Sequence, residues 1–441
     1  MSDDPILKAL ADCNPNEALQ PDDPRFVDVD DVRGRPLRLI LGRLLLAADS
    51  RQTYAKLVVA GHRGSGKSTE LNRAQAELQA NGYETLWASV NENLDPREIS
   101  FGDIIRLMVL LLDDRFGQET HNHPSIKQAF DNVRDWFKEV AKTFTAEIDS
   151  AKELGMKARI GGPASASGLV VKTELGELSA AISVVRRSEG KERTEIRETF
   201  ERYNNQLVDN LNSLVRAVTE ACCPGKSLVV ILDNVDKYEP AIVNDAFLRN
   251  SELLREVDCH LVFTVQSSLL HKPVDDAVDH CFTKFDLPML PIFVKHTREP
   301  NASVMERIRE AVYKRVPREL FTDEENVNDL IKASGGCWRD LLRLLQDALL
   351  RTDAIIGSAE VKAAGQQVAQ TYQRLLRSGE DLMALAKVHL EHTALSNEET
   401  RYLLHHLCIL SYNGEGWYDI HPLLDNYAPV KEAVRAASSV T

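Results

Sequence analysis

Five short apolar runs, at 56–60 (KLVVA), 84–90 (ETLWASV), 227–232 (SLVVIL), 259–266 (CHLVFTVQ) and 289–294 (MLPIFV), alternate with longer stretches of helical spacing. Runs this short and this rich in Val, Leu and Ile suit strands buried on both faces. Their alternation with helices predicts a parallel sheet joined by crossovers, closed by the run at 289–294. The helical stretches lie at 36–46, with Pro36 in a favourable first-turn position, at 70–78, from Ser100 onward, and at 191–220. Leu107 to Leu112 is flanked by Arg106 and Asp113. It reads as the buried face of a core helix, since a bilayer requires about 20 apolar residues.

Past residue 300 the pattern is helical. Ser303-Val304-Met305-Glu306 reads as a capping box, and Ser334-Gly335-Gly336-Cys337-Trp338 as a glycine turn opening a second helix. Helical spacing returns at 358–377, 380–392 and 396–407. Two short runs, 409–412 and 417–420, then flank Asn413-Gly414, a hairpin signal. Helices followed by a hairpin predict a winged helix. At 441 residues the chain exceeds one core. The expected divisions are an N-terminal arm and first helix at 1–50, a core at 51–296 with an insert at about 140–190, a helical lid at 297–355 and a winged-helix domain at 356–441. The insert holds Gly161-Gly162-Pro163 and is either a surface loop or a docking point.

Composition narrows the function. A net charge of −14 at pH 7, with pI near 5.4, counts against indiscriminate nucleic-acid binding, a local basic face excepted. Seven scattered cysteines without C-x-x-C spacing suggest reduced thiols, and the acidic start Met1-Ser2-Asp3-Asp4 lacks a signal-peptide profile. A cytoplasmic chain with no membrane contact is expected. His405-His406 and His121-Asn122-His123 look like metal spacing only superficially, so zinc is not.

The chemistry concentrates at 61–69, GHRGSGKST, which fits G-x-x-x-x-G-K-[ST] through Gly61, Gly66, Lys67 and Ser68. A loop of Arg63, Gly64, Ser65, Gly66 and Thr69 can turn consecutive N–H groups onto phosphate oxygens, and side chains at Gly64 and Gly66 would block that approach. Lys67 would reach the β/γ-phosphates and Ser68 would ligate Mg²⁺, at the positive end of a helix. The run 227–232 ends in Asp233-Asn234-Val235-Asp236. Carboxylates there sit at the ligand edge of a parallel sheet, so Asp233 is a Mg²⁺ candidate and Asp236 a candidate for polarising water, an acidic turn being the alternative. Thr264 or Gln266 would face the γ-phosphate if their strand adjoins that of Asp233, or would merely cap it. Arg25, Phe26 and Val27 either stack on the base or anchor the arm. Arg339, in a helix first turn where a cation opposes the dipole, either reaches back to phosphate or pairs with Asp340 or Glu319.

With GHRGSGKST, ILDNVD, FTVQ, SGGCWRD and the winged helix in this order, residues of about 20 to 430 resemble the AAA+/STAND side of the P-loop ATPases. The resemblance implies ATP and Mg²⁺ as cofactors, an α/β nucleotide core, a lid carrying Arg339 as a second sensor, and a winged helix that reports nucleotide state. It also implies that His421, which follows the hairpin, touches the bound diphosphate; a surface residue before Pro422 is the other reading. Many AAA+ proteins carry glutamate where Asn234 stands, which implies slow hydrolysis or a noncatalytic scaffold. No arginine finger is evident, although Arg249 and Arg255 lie in the usual region. STAND proteins carry sensor repeats and an effector beyond the wing. Here those roles would fall to homo-oligomer neighbours and a separately encoded effector or sensor, as in bacterial defence systems. The rival is a DNA-loading ATPase like the origin-recognition initiators. A hairpin region carrying Glu415, Asp419 and Asp425 weighs against it.

Overall fold

A computed structural model describes residues 4–49, 54–95, 99–137, 191–271, 280–412 and 417–439. The insert at about 140–190 and the hairpin turn at 413–416 lie outside the described residues. Five parallel strands, β1 (Lys56–Gly61), β2 (Glu84–Ser89), β3 (Leu228–Asp233), β4 (His260–Val265) and β5 (Thr283–Leu287), form one sheet in the order β2-β3-β4-β1-β5. Every position of β1, β3 and β4 is buried, as their unbroken apolar runs require.

The two faces of these strands divide at period two. Val58, Ala60, Val230, Leu232, Leu261 and Phe263 pack under the helices Phe101–Phe116 and Lys191–Cys222. Leu57, Val59, Val229, Ile231 and Val262 pack under Pro36–Asp49 and Lys67–Ala80. Ser100 caps Phe101–Phe116 reciprocally with Asp103, and Leu107, Met108, Val109 and Leu112 are its buried face. No helix among the described residues is long and apolar enough to cross a membrane.

The run expected to close the sheet does not. The edge strand is β5, whose sequence TKFDL is exposed or half-buried over four of five positions and carries no apolar run to announce it. Pro291 deprives 289–294 of a ladder donor and Pro288 immediately precedes it, so that segment leaves the sheet. Met289 instead bridges Tyr412 of the winged helix, while Leu290 and Ile292 enter the lid core.

The lid comprises the helices Ala302–Tyr313, Glu324–Ser334 and Trp338–Leu349. The first begins two residues earlier than the capping box at 303–306 implies. Asn301 is its N-cap, and the Ser303 hydroxyl bonds the Asn301 side chain at 2.9 Å instead of a backbone N–H. Then come Ser358–Gln373, Gly379–Glu391, Glu398–His405, the antiparallel hairpin β6 (Ile409–Tyr412) and β7 (Trp417–Ile420), and Ala428–Ser438. One apolar cluster runs through lid and winged helix and also takes in Ala9, Cys13, Val27 and Val29 of the N-terminal arm. The architecture is an α/β P-loop NTPase sheet flanked by helices, followed by a helical lid and a C-terminal winged helix.

Candidate nucleotide site

The loop between β1 and the helix Lys67–Ala80 turns through Gly64 (φ 83°) and Gly66 (φ 93°), conformations that glycine adopts without strain. The lid approaches it closely. The Trp338 N–H donates to the Gly64 carbonyl at 3.0 Å, and a Cβ on Gly64 would lie 2.6 Å from Arg339 Cβ and 2.7 Å from Cys337 Sγ. Gly64 is therefore required by the lid as well as by the turn.

Strand order places β4 between β1 and β3, so the ends of all three converge on one edge. Lys67, buried, donates to the carbonyls of Gly61 (2.8 Å) and His62 (2.9 Å) and lies 2.8 Å from an Asp236 carboxylate oxygen. The Ser68 hydroxyl hydrogen-bonds Asp233. Asp233 Oδ1, wholly buried, finds no hydrogen-bond partner among the described residues. Burial and the neighbouring Asp236 push the Asp233 carboxyl up, so this corner has an excess of negative charge.

These groups open on a cavity of about 400 Å³, a volume that suits a small-molecule ligand. Gly64, Gly66, Lys67, Ser68 and Thr69 form its floor, Asp233 and Asp236 one wall, Arg339 and Trp338 the lid side, and Arg25, Phe26 and Val27 the far end. Phe26 is half-buried with the Arg73 guanidinium 5.0 Å over its ring. Arg339 Nε is buried and unpartnered among the described residues. Its expected alternative partner, Asp340, faces the other way: its carboxylate is buried among His421, Tyr372 and Arg343.

Several expected site residues take other positions. His421 is fully buried and does not line the cavity. Its Nε2 lies 3.2 Å from Asp340 Oδ2 and its ring stacks on Tyr372 at 4.4 Å, so it supports the base of the Arg339 helix. Gln266 donates to the Asp236 carbonyl, and the Thr264 hydroxyl donates to Asp236 Oδ1 at 3.5 Å, so both brace Asp236 from behind. Arg63 turns outward to the carbonyls of Asp236 (3.3 Å) and Lys237 (3.2 Å), outside the cavity lining. Thr69 accepts the Leu19 N–H at 3.2 Å, tying the arm to the loop helix. Asn234 (φ 63°) donates to the Ser89 hydroxyl at 2.8 Å, and Arg249 is an exposed residue paired with Asp245 at 3.0 Å.

Two arginines that sequence reasoning passed over line the cavity. Arg33, buried, donates to the carbonyls of Ser65 and Pro288, with burial pushing its guanidinium down to about 10. Arg315, at the end of Ala302–Tyr313, donates to the Arg25 and Ala311 carbonyls at 3.0 and 2.9 Å and keeps a buried Nε without a partner among the described residues. Both lie close to helix ends, where an arginine passes for a dipole partner. Only the fold carries them to the phosphate loop and the arm.

No family model matches the chain, and no curated protein matches it. Among solved structures it is similar to Cdc6p from Pyrobaculum aerophilum (11% identity, 97% of this chain and 98% of that one, TM-score 0.39). It is also similar to a Walker-type ATPase of Pyrococcus abyssi (12%, 94% and 100%, TM-score 0.44) and to the ORC1 protein of Aeropyrum pernix in complex with DNA (11%, 98% and 97%, TM-score 0.39). Overlap at this level leaves the reading of the site to its own geometry.

Two buried histidines contribute to the response to acid. Burial pushes His62 down to about 3 and His260 to about 4, from an ordinary 6.5. Above pH 6.5 neither state binds these protons. Below it the unfolded chain does and the folded one does not, so stability is lost as pH falls towards 4. At pH 5 the loss is about 2 kcal/mol for each histidine. Denaturant midpoints at pH 7 and pH 5 measure it, and a midpoint unchanged at pH 5 would contradict the neutral, buried rings.

Proposed function

We propose that the chain is an ATP-binding, slowly hydrolysing switch of the AAA+/STAND kind, in which the lid and winged helix follow the nucleotide. The observation that carries this reading is the unpartnered Asp233 oxygen beside Ser68, set in one cavity with Lys67, Arg339 and the glycine loop. Ser68 and Asp233 are the residues that would hold Mg²⁺, which when bound supplies charge neutralisation at the β/γ-phosphates. Lys67 and Arg339 would bind the phosphates, and Phe26 would cover the base. Once Lys67 moves to phosphate, the Asp236 carboxylate is left to accept a proton from water, held by Thr264 and Gln266. A switch needs several kcal/mol of differential affinity between states, which contacts from both sides of the cavity can supply.

Asp236→Asn keeps a hydrogen-bond acceptor for Lys67 and should retain nucleotide affinity while turnover falls about a hundredfold. Steady-state ATPase assays beside binding titrations check this, and unchanged turnover would remove Asp236 as the base. Light scattering with ADP and with ATP tests whether ATP drives assembly, with further copies or with a separately encoded effector or sensor.

A second reading, the DNA-loading initiator, is favoured by one observation. Asp419 is buried and pairs with His389 at 3.0 Å and Arg298 at 3.4 Å, and Asp425 pairs with Arg298 at 2.7 Å. Two of the three carboxylates behind the acidic-hairpin argument are thus engaged internally by a shared Arg298, which lessens their opposition to DNA. Stimulation of turnover by duplex DNA would put this reading first.

A further inference from the structure

The phosphate chemistry above makes no use of the His62 side chain, yet this residue joins the loop to the winged helix. Its ring is buried, with Nε2 accepting the Ser411 N–H of β6 at 2.9 Å and the Leu404 backbone hydrogen-bonding the ring as well. Burial keeps it neutral, so Nε2 retains its lone pair. At the other end of the same residue, the His62 carbonyl accepts from Lys67 Nζ at 2.9 Å, beside the Gly61 carbonyl. The ammonium that would grip phosphate and the first wing strand therefore hold opposite ends of one residue. Elsewhere β6 is held by Met289, whose N–H donates to Ser411 O at 3.0 Å, and by Tyr412, whose hydroxyl donates to the Gly335 carbonyl at 3.0 Å. P-loop, lid turn and wing meet there.

We propose that His62 is a positioning residue that latches β6 to the phosphate loop while Lys67 rests on the loop's own carbonyls, and that releases β6 when phosphate draws Lys67 away. The latch rests on the reading of 61–69 as a nucleotide site. Phosphate takes Lys67 from the carbonyls of Gly61 and His62 and from Asp236, leaving the His62 carbonyl held by the Ser65 N–H at 3.1 Å alone among the described residues, so the peptide turns at the cost of that one bond. A turned peptide carries the ring with it, and the Ser411 N–H loses its acceptor. Because coupling is reciprocal, release of β6 strengthens nucleotide binding by the same factor.

The test uses the full chain, a fluorescent ATP analogue with Mg²⁺, and hydrogen exchange across β6. In the wild type the nucleotide should speed exchange of the Ser411 amide about tenfold. His62→Ala should exchange fast with or without nucleotide and bind the analogue about tenfold more tightly. Ser411→Pro removes the donor without touching the loop. The Ser411 nitrogen points away from β7, so the hairpin ladder tolerates the proline and the same gain in affinity should appear. The double variant should gain no more than either single one. If melting shows both variants folded and their affinities match the wild type, the latch is wrong while the nucleotide site stands. Exchange across β6 that ignores bound nucleotide would overturn it likewise. A wild type without affinity for the analogue would sink the site reading and the latch together.

Discussion

Lys67→Ala should leave the chain with no measurable affinity for a nucleoside triphosphate, a loss of at least a hundredfold. It removes the ammonium on the cavity floor that offsets the adjoining carboxylates Asp233 and Asp236, so incoming phosphates would meet those two carboxylates without their nearest partner cation. The substitution also affects the empty protein. Lys67 and Asp236 form a buried pair at 2.8 Å, and removing one member of such a pair costs about 3 kcal/mol because the other charge stays buried. The two effects separate in the double variant Lys67→Ala, Asp236→Asn, which should recover most of the melting temperature and none of the binding. Titration with a fluorescent nucleotide, beside thermal melts of both variants, makes the measurement. Wild-type affinity in Lys67→Ala would end the assignment of this loop as a phosphate cradle.

Gly336→Ala should be the most damaging single methyl group in the lid. Gly336 has φ 79°, and a Cβ there would lie 2.1 Å from the Leu290 carbonyl oxygen and 3.0 Å from its carbon. Those are backbone atoms and cannot swing aside, so the turn must move or the segment after β5 must shift. A loss of roughly 3 kcal/mol or more is expected, from steric conflict added to left-handed strain. The same turn places Trp338 on Gly64, so nucleotide affinity should fall along with stability. Gly379→Ala is the control: a Cβ there meets nothing within 4 Å, and its midpoint should stay within about 0.5 kcal/mol of the wild type. Equal midpoints for the two variants would mean that the lid turn yields freely.

The phosphate loop was legible because its chemistry is local: nine consecutive residues fix strand end, turn and helix start together. The buried strands β1, β3 and β4 were legible for the same reason, and the hairpin strands 409–412 and 417–420 fall where expected. Strand β5 was not, since an edge strand needs only one covered face and TKFDL looks like a turn. His421 shows a different limit. Its place after the hairpin matches a family pattern, but Asp340 and Tyr372 lie 81 and 49 residues earlier in the chain and claim its ring. Counting charge in the wing failed for a related reason, because sequence gives the number of carboxylates and not the direction of Asp419, which points inward to Arg298. Arg33 donates to Pro288, 255 residues away, and no local rule foretells that distance.

The arm that closes the far end of the cavity belongs, by its apolar contacts, to the lid and winged helix, which are made well after it. Gln346 of the lid reaches the Leu10 carbonyl across 336 residues of sequence, and Cys13, Val27 and Val29 share their core with lid and wing. On a ribosome adding about 5–20 residues per second, the arm would emerge and wait on the order of 20–70 s for that partner. During this interval its apolar side chains have no native cover, and the nascent core carries a phosphate loop with one wall missing. The cavity thus stays open at its far end until the lid helix at 338–349 has been made, and the arm is a seal that the lid must set.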